Sequence, residues 1–167
     1  MLRKIIPNSI GKYLFGDRVK YGHVINESDR EWCEFQNYYN EFHQHYKKSA
    51  IVNFTDNLGY SILKNYDFSE KVVLEFGVGL MPHMRFMKNM PSTYYVVDIN
   101  KNFLKHAIAK LGDKAKVIEL KNRSEFPDIE NESIDIIISF YTLEHILKID
   151  EHIDFYKKKL KVGGTLV

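Results

Sequence analysis

The stretch from Lys71 to Met87 constrains the fold more than any other part of the chain. An apolar run, Val72-Val73-Leu74, reaches Glu75 and then breaks at Phe76-Gly77-Val78-Gly79. Two glycines one residue apart let the backbone turn tightly and approach a ligand with no Cβ in the way, and Pro82 suits the first turn of a helix. The pattern predicts strand, glycine loop, helix, the geometry that opens a doubly wound sheet with ligands at the carboxyl ends of its strands. Thr93 to Val97 is a second β-rich run, bounded by Met90-Pro91-Ser92, and it ends on Asp98, where a ribose-binding acid is expected. Glycine loop and acid together point to a cofactor of adenosine type.

What the loop lacks narrows the cofactor. There is no Gly-x-x-x-x-Gly-Lys-Ser/Thr, so no lysine waits for a β- or γ-phosphate. The third position of Gly-x-Gly-x-x-Gly falls on Pro82, which suits a pyrophosphate-cradling turn of NAD or FAD type poorly. Glu75 would repel a pyrophosphate and suits the ammonium of a cationic amino-acid ligand. A phosphate-free cofactor fits better.

At these residues the chain resembles the class I S-adenosylmethionine-dependent methyltransferases. Their first motif is matched by Val73-Leu74-Glu75-Phe76-Gly77-Val78-Gly79 and their second by Tyr95-Val96-Val97-Asp98-Ile99. Ser133-Ile134-Asp135-Ile136-Ile137-Ile138-Ser139 is similar to the family's fourth strand, Thr142-Leu143-Glu144-His145-Ile146 to the segment after it, and Leu160 to Val167 to the turn into the fifth strand. The resemblance covers Lys71 to the end of the chain and rests on motifs in the right order. It implies an α/β fold, a doubly wound, mainly parallel Rossmann-like sheet with an amino-terminal helical extension, the chain stopping at the fifth strand. Residues 1–69 would form an arm and helical lid, and 70–167 the S-adenosyl-L-methionine-binding core. The resemblance also implies cofactor contacts from Glu75, Phe76, Gly77, Val78, Gly79, Asp98, Ile99, Asn122, Arg123 and Ser139. Two departures stand out: Met81 where the family has a small residue, and Asn122 where an acid often receives the adenine amino group.

Composition sets the outer limits. The 167 residues are 44% hydrophobic and 28% charged, enough for one domain with a real core. A net charge of +2 gives no electrostatic signal for nucleic acid. The single cysteine, Cys33, cannot form an internal disulfide, Arg3 and Lys4 are followed by no continuous apolar core, and no apolar run approaches membrane-spanning length. A cytoplasmic setting is the expectation.

Met1 to Asn26 shows no clear period and reads as an irregular arm. Ser28 with Glu31 forms a capping box, and Trp32, Phe35, Tyr39, Phe42 and Tyr46 recur at steps of three and four on one helix face. That stripe either packs on the sheet domain or, as in the resembled family, forms a lid from which Tyr38 or Tyr39 touches the acceptor. His43 and His45 are two apart and project to different sides, which makes them poor joint metal ligands. A second helix is predicted from about Thr55 to Lys64. Another begins at an Asn100 cap, carries Phe103, Leu104, Ala107, Ile108 and Leu111, and stops at Gly112. The third strand is predicted at Ala115 to Leu120, and a last helix at Glu151 to Leu160 buries Ile153, Tyr156 and Leu160 and leaves Lys157, Lys158 and Lys159 in solvent.

A methyltransferase needs its protein chiefly to hold the acceptor in line with an already activated methyl group. A hydroxyl or ammonium acceptor also needs a base, and His145, near the end of the fourth strand, is the candidate. Glu144 and His145 equally suit a structural role at a helix start, and His83 faces the same choice. No metal is expected: the Glu-x-x-Glu-His of some enzymes acting on RNA ends has Tyr141 at its first acidic position here. Ser139-Phe140-Tyr141-Thr142 replaces the Asn/Asp-Pro-Pro-Tyr of enzymes that methylate base amines, and the Pro-Cys of cytosine C5 enzymes is absent. A small-molecule, sugar or lipid-like acceptor is the partner expected. Two other classes stay open, a non-catalytic cofactor-binding or interaction module and a nicotinamide-dependent oxidoreductase. The second should show a third glycine and a Tyr-x-x-x-Lys pair that are not found. Because the family's sheet usually continues beyond the fifth strand, an exposed edge there is expected to promote self-association.

Overall fold

A computed structural model describes residues 34, 37, 38 and 41, and 50–167 apart from 123 and 147. The chain divides into two compact units, 1–46 and 47–167. In the first, Glu34, Asn37, Tyr38 and Glu41 are helical. The arm at 1–26, the capping box of Ser28 and Glu31, the aromatic stripe from Trp32 to Tyr46 with Tyr39, and His43 and His45 lie outside the described residues, as does Arg123.

The second unit is built on a parallel five-stranded sheet in the order β3-β2-β1-β4-β5. Its strands are β1 (Val72–Phe76), β2 (Thr93–Asp98), β3 (Ala115–Glu119), β4 (Ile134–Ile138) and β5 (Leu160–Leu166). Parallel strands covered on both faces read as continuous apolar runs rather than alternating ones. β1 and β4 do so, with Val73, Leu74, Ile136, Ile137 and Ile138 all buried. Register runs from Val72 opposite Thr93 to Phe76 opposite Val97 on one side of β1, and from Val73 opposite Ile136 to Glu75 opposite Ile138 on the other. At the amino-terminal end, the Asp135 carboxylate accepts from Val72 N–H at 2.9 Å and from Lys161 Nζ at 2.9 Å, tying β1, β4 and β5 together.

The chain leaves β1 toward β2 and β3 and then returns to the other side for β4. The carboxyl ends of β1 and β4 therefore flank the point where strand order reverses, which is where open α/β sheets receive ligands.

Helix α1 (Ala50–Tyr60) starts earlier than the expected Thr55 and passes into a 3-10 segment, Ser61–Asn65. α2 (Lys101–Leu111) has the expected ends: the Asn100 side chain accepts from Asn102 N–H, and Gly112 leaves the helix at φ 58°. α3 (Ile149–Lys159) buries Tyr156 as expected, with Ile153 and the following Leu160 partly buried against the core, and it also buries His152 and Phe155. The segment after the glycine loop makes only a 3-10 turn, Pro82–Phe86, instead of a full helix. Met81 redirects the chain at φ 52°, and Pro91 with the start of β2 cuts the segment short.

One layer of the core gathers Leu74, Phe76, Val97, Leu120, Ile129, Ile134, Ile137, Phe155 and Tyr156. Burying each large apolar side chain contributes roughly 1.5–3 kcal/mol. β5 begins at Leu160, before the position expected from sequence, and its register against β4 jumps from Leu160 opposite Ile134 to Thr165 opposite Ile136. Lys161 to Gly164 are the residues accommodated in that irregularity.

Candidate functional site

The glycine loop is held in place from both sides of the sheet. Gly77 N–H donates to Val97 O at 2.8 Å, and Gly77 and Gly79 have φ of 78° and 49°. Their reasons for being glycine differ. A Cβ on Gly77 would fall 2.3 Å from Oγ1 and 2.6 Å from Cγ2 of Thr142, so the loop after β4 occupies that space. A Cβ on Gly79 would meet no heavy atom within 4 Å. The left-handed backbone and the open space make Gly79 a cradle that a side chain would fill.

Asp98 closes this cradle at the end of β2. Its Oδ2 accepts from Gly79 N–H at 3.4 Å and its Oδ1 from Asn100 N–H at 2.8 Å. Burial pushes the carboxyl up to about 6; the amides of Asn100, Gly79 and Ile99 pull it down, and the Glu75 charge adds to the rise. Asp98 thus links the glycine loop, the second strand and the cap of α2.

Glu75 lies at the carboxyl end of β1, 1% exposed. Tyr94 Oη donates to its Oε2 at 2.6 Å, and His83 Nε2 stands 3.3 Å from the same oxygen without the alignment of a hydrogen bond. Burial, and then the Glu75 charge, raise the Tyr94 hydroxyl well above the ordinary phenol range. Lys110 Nζ from α2 donates to the carbonyls of Leu80 at 2.8 Å and Met81 at 3.3 Å, fixing the exit of the glycine loop. Met81 is itself buried.

An aromatic wall stands beside the carboxyl ends of β1 and β4. The buried Tyr60 ring meets Phe140 edge-on at 5.1 Å and Tyr141 at 5.6 Å, and lies 5.8 Å from His83. Tyr141 has a left-handed φ of 53° and is half exposed. Such a backbone is unusual for a bulky residue and is held here by its packing against Tyr60.

The structure therefore brings Glu75, Gly77, Gly79 and Asp98 together. Phe76 turns into the core, its ring 4.9 Å from His152, and Val78 is buried. Ile99 follows Asp98 and is half-buried. Asn122 is exposed on a turn in which its Oδ1 accepts from Ser124 N–H at 2.9 Å. Ser139 is half-buried; its N–H donates to Val167 O at 3.0 Å, and its hydroxyl lies 3.4 Å from Tyr156 Oη. His145 is exposed at the end of the 3-10 turn Leu143–His145, its N–H donating to Thr142 O at 2.9 Å. Among the described residues, no three His, Cys, Asp or Glu side chains converge as metal ligands. A separate cavity of about 320 Å³, lined in part by Lys71, Asp135 and Lys161, lies at the amino-terminal ends of β1 and β4, away from the glycine loop.

Tyr94, Lys110, Thr142 and Tyr60 are absent from the residues singled out by sequence. Tyr94 had a signal. An acid inside an apolar strand needs a donor on the same sheet face, and Tyr94 is two residues before Val96, the register partner of Glu75. Thr142 and Tyr60 come from distant segments and carry no local signal.

The methyltransferase domain family profile matches residues 74–167. An uncharacterised methyltransferase of Geobacillus sp. strain WCH70 is 28% identical over 139 residues, 82% of this chain and 62% of that protein. One from Geobacillus thermodenitrificans strain NG80-2 is 32% identical over 103 residues, 60% of this chain and 47% of that protein. Among solved structures, the trans-methyltransferase CalH in complex with SAH matches with a TM-score of 0.51 at 19% identity, covering 64% of this chain and 33% of that one. That likeness is one of fold. The chain spans about half to three-fifths of the length of these curated relatives.

Proposed function

The chain belongs to the methyltransferase domain family, and from that premise we propose that it binds S-adenosyl-L-methionine and transfers a methyl group to a small-molecule, sugar or lipid-like acceptor. One observation carries the reading: Gly79, with open space where a Cβ would be, donates its N–H to the Asp98 carboxylate at 3.4 Å, beside the strand-order reversal. A glycine-lined cradle with open space next to a buried carboxylate suits a ribose and a flexible amino-acid tail.

In this reading Asp98 receives the ribose hydroxyls and Glu75 the ammonium. Gly77 and Gly79 allow close backbone approach, Phe76 and Val78 anchor the loop in the core, and Ile99, Asn122 and Ser139 flank the nucleoside, with Arg123, which lies outside the described residues, a further proposed contact. The cofactor supplies a methyl group already activated on a sulfonium. The chain's own task is placement of the acceptor. His145, on the turn after β4, takes the proton when the acceptor is a hydroxyl or an ammonium. No described helix is long and apolar enough to cross a membrane, and the cytoplasm is the compartment proposed.

A second reading, cofactor binding without turnover, has one observation in its favour. His145 is exposed on a single turn, which gives a base little of the desolvation that tunes catalytic groups.

Calorimetric titration with S-adenosylmethionine, S-adenosylhomocysteine and NAD on one preparation tests these readings. Binding of both adenosyl ligands and not NAD is expected, with methyl transfer to an acceptor panel separating enzyme from binding module. NAD binding with no response to S-adenosylhomocysteine would reverse the assignment.

A further inference from the structure

Glu75 is the most deeply buried carboxylate of the site, and a carboxylate inside a sheet is retained at a cost unless donors meet it. Two side chains from different elements converge on its Oε2: Tyr94 Oη from β2 at 2.6 Å and His83 Nε2 from the 3-10 turn Pro82–Phe86 at 3.3 Å. Both are themselves buried, Tyr94 completely and His83 to 2% exposure. The His83 ring packs against both Tyr60 at 5.8 Å and Phe140 at 5.5 Å, which restricts its rotation. The backbone directs it there. Met81 at φ 52° turns the chain back toward β1, and Lys110 holds the Leu80 and Met81 carbonyls. Both contacts fall on Oε2, so the carboxylate is held through a single oxygen.

We propose that His83 and Tyr94 are positioning residues that orient the Glu75 carboxylate for the ammonium group of the ligand's amino-acid portion, and so make the site select adenosyl ligands that carry that group. This rests on the functional reading above. A role in packing alone would be served as well by apolar side chains of similar shape, which carry no buried charge. Tyr94 holds Oε2 by a hydrogen bond and His83 sets its Nε2 against the same oxygen at 3.3 Å, so the carboxylate is constrained from two elements at once.

Two probes separate orientation from general binding: S-adenosylhomocysteine, which carries the ammonium, and 5′-deoxy-5′-methylthioadenosine, which lacks the whole amino-acid portion. Tyr94→Phe keeps the ring, and His83→Phe replaces the imidazole by a somewhat larger apolar ring. Each is expected to weaken S-adenosylhomocysteine about tenfold while moving methylthioadenosine by less than about twofold, and His83→Gln, which keeps a polar group toward Glu75, recovers most of the loss of His83→Phe. In a Glu75→Gln background neither substitution weakens S-adenosylhomocysteine further. Should His83→Phe fail to fold, Tyr94→Phe and His83→Gln carry the comparison. Equal losses for the two probes, or unchanged S-adenosylhomocysteine affinity in folded variants, overturn the proposal while leaving the functional reading intact. A parent protein that binds neither probe overturns both.

Discussion

Asp98 is where burial and the proposed binding role oppose each other within one residue. Its carboxyl is raised from 3.8 to about 6, so the folded chain holds that proton more tightly than the unfolded chain. The stability this contributes is fully present below pH 3.8 and is lost as pH rises through about 6. At about 1.4 kcal/mol for each tenfold change in proton affinity, the loss is on the order of 3 kcal/mol at most. Asp98→Asn should remove that decline, and denaturant titrations at a series of pH values between 4 and 7 would show a flat profile where the parent falls. Ligand binding should run the other way. Ribose hydroxyls donate best to an ionised acceptor, so S-adenosylhomocysteine affinity should rise as pH passes through about 6 and level off by about pH 7, and Asp98→Asn should lose at least about tenfold at neutral pH. Affinity independent of pH over that range would remove Asp98 from the site. The two loop glycines divide in a similar way. Gly77→Ala forces a Cβ to within 2.3 Å of Thr142 Oγ1 and should cost roughly 2–4 kcal/mol, part of it recovered by Thr142→Ala in thermal unfolding. Gly79→Ala meets nothing, so its stability cost should stay near the roughly 1–2 kcal/mol of a left-handed backbone while ligand binding is lost. Sequence alone reads both glycines as ligand-facing. The reason for Gly77 lies 65 residues downstream in Thr142, where no local pattern points to it.

Elements were legible where the local signal and the tertiary demand agree. β1, β2 and β4 stand at their expected places because a β-branched run covered on both faces leaves no other reading. α2 is bounded by the cap and the glycine that the sequence offers, and its amino terminus belongs to the site: Asn100 accepts from Asn102 N–H with its side chain and donates its own N–H to Asp98. Asn100→Ala should therefore lower stability by about 1 kcal/mol, the usual worth of such a cap, and weaken adenosyl ligands by loosening the turn whose Asn100 N–H the Asp98 carboxylate accepts. Thermal unfolding paired with calorimetry on one variant reads both effects; a stability loss with affinity untouched would show the cap to be structural only. The turn after the glycine loop was not legible. Pro82 announces a helix, yet Met81 in a left-handed conformation and Pro91 nine residues on leave room for a single 3-10 turn, and that short turn is what carries His83 back to Glu75. β5 was foreseen as a short end piece and instead starts at Leu160, because its pairing with β4 includes a register jump that no period in the sequence encodes.

For the second unit as a whole, the two edges of the sheet are unlike. β3 is guarded by charge: Lys101 pairs with Glu119 at 3.2 Å, and Lys116 lies over the Tyr95 ring at 5.0 Å. Charged side chains on an edge strand discourage pairing with another chain. β5, whose neighbour in the sheet is β4, instead presents Val162 at 96% exposure, Leu166 partly exposed, and two adjacent glycines. Lys161 is turned away to Asp135 at 2.9 Å, so its charge is committed within the fold. An edge with exposed apolar side chains and unpaired backbone groups is a template for a further strand, and a second copy of this polypeptide can supply one. We therefore expect the 167-residue polypeptide to self-associate in a concentration-dependent way by sedimentation velocity. Val162→Lys, which places a charge on that edge far from the glycine loop, should shift the distribution toward monomer and leave S-adenosylhomocysteine affinity within about twofold. A polypeptide that remains monomeric at high concentration, with Val162→Lys indistinguishable from it, would show that the register jump and the turn at Gly163 already blunt this edge.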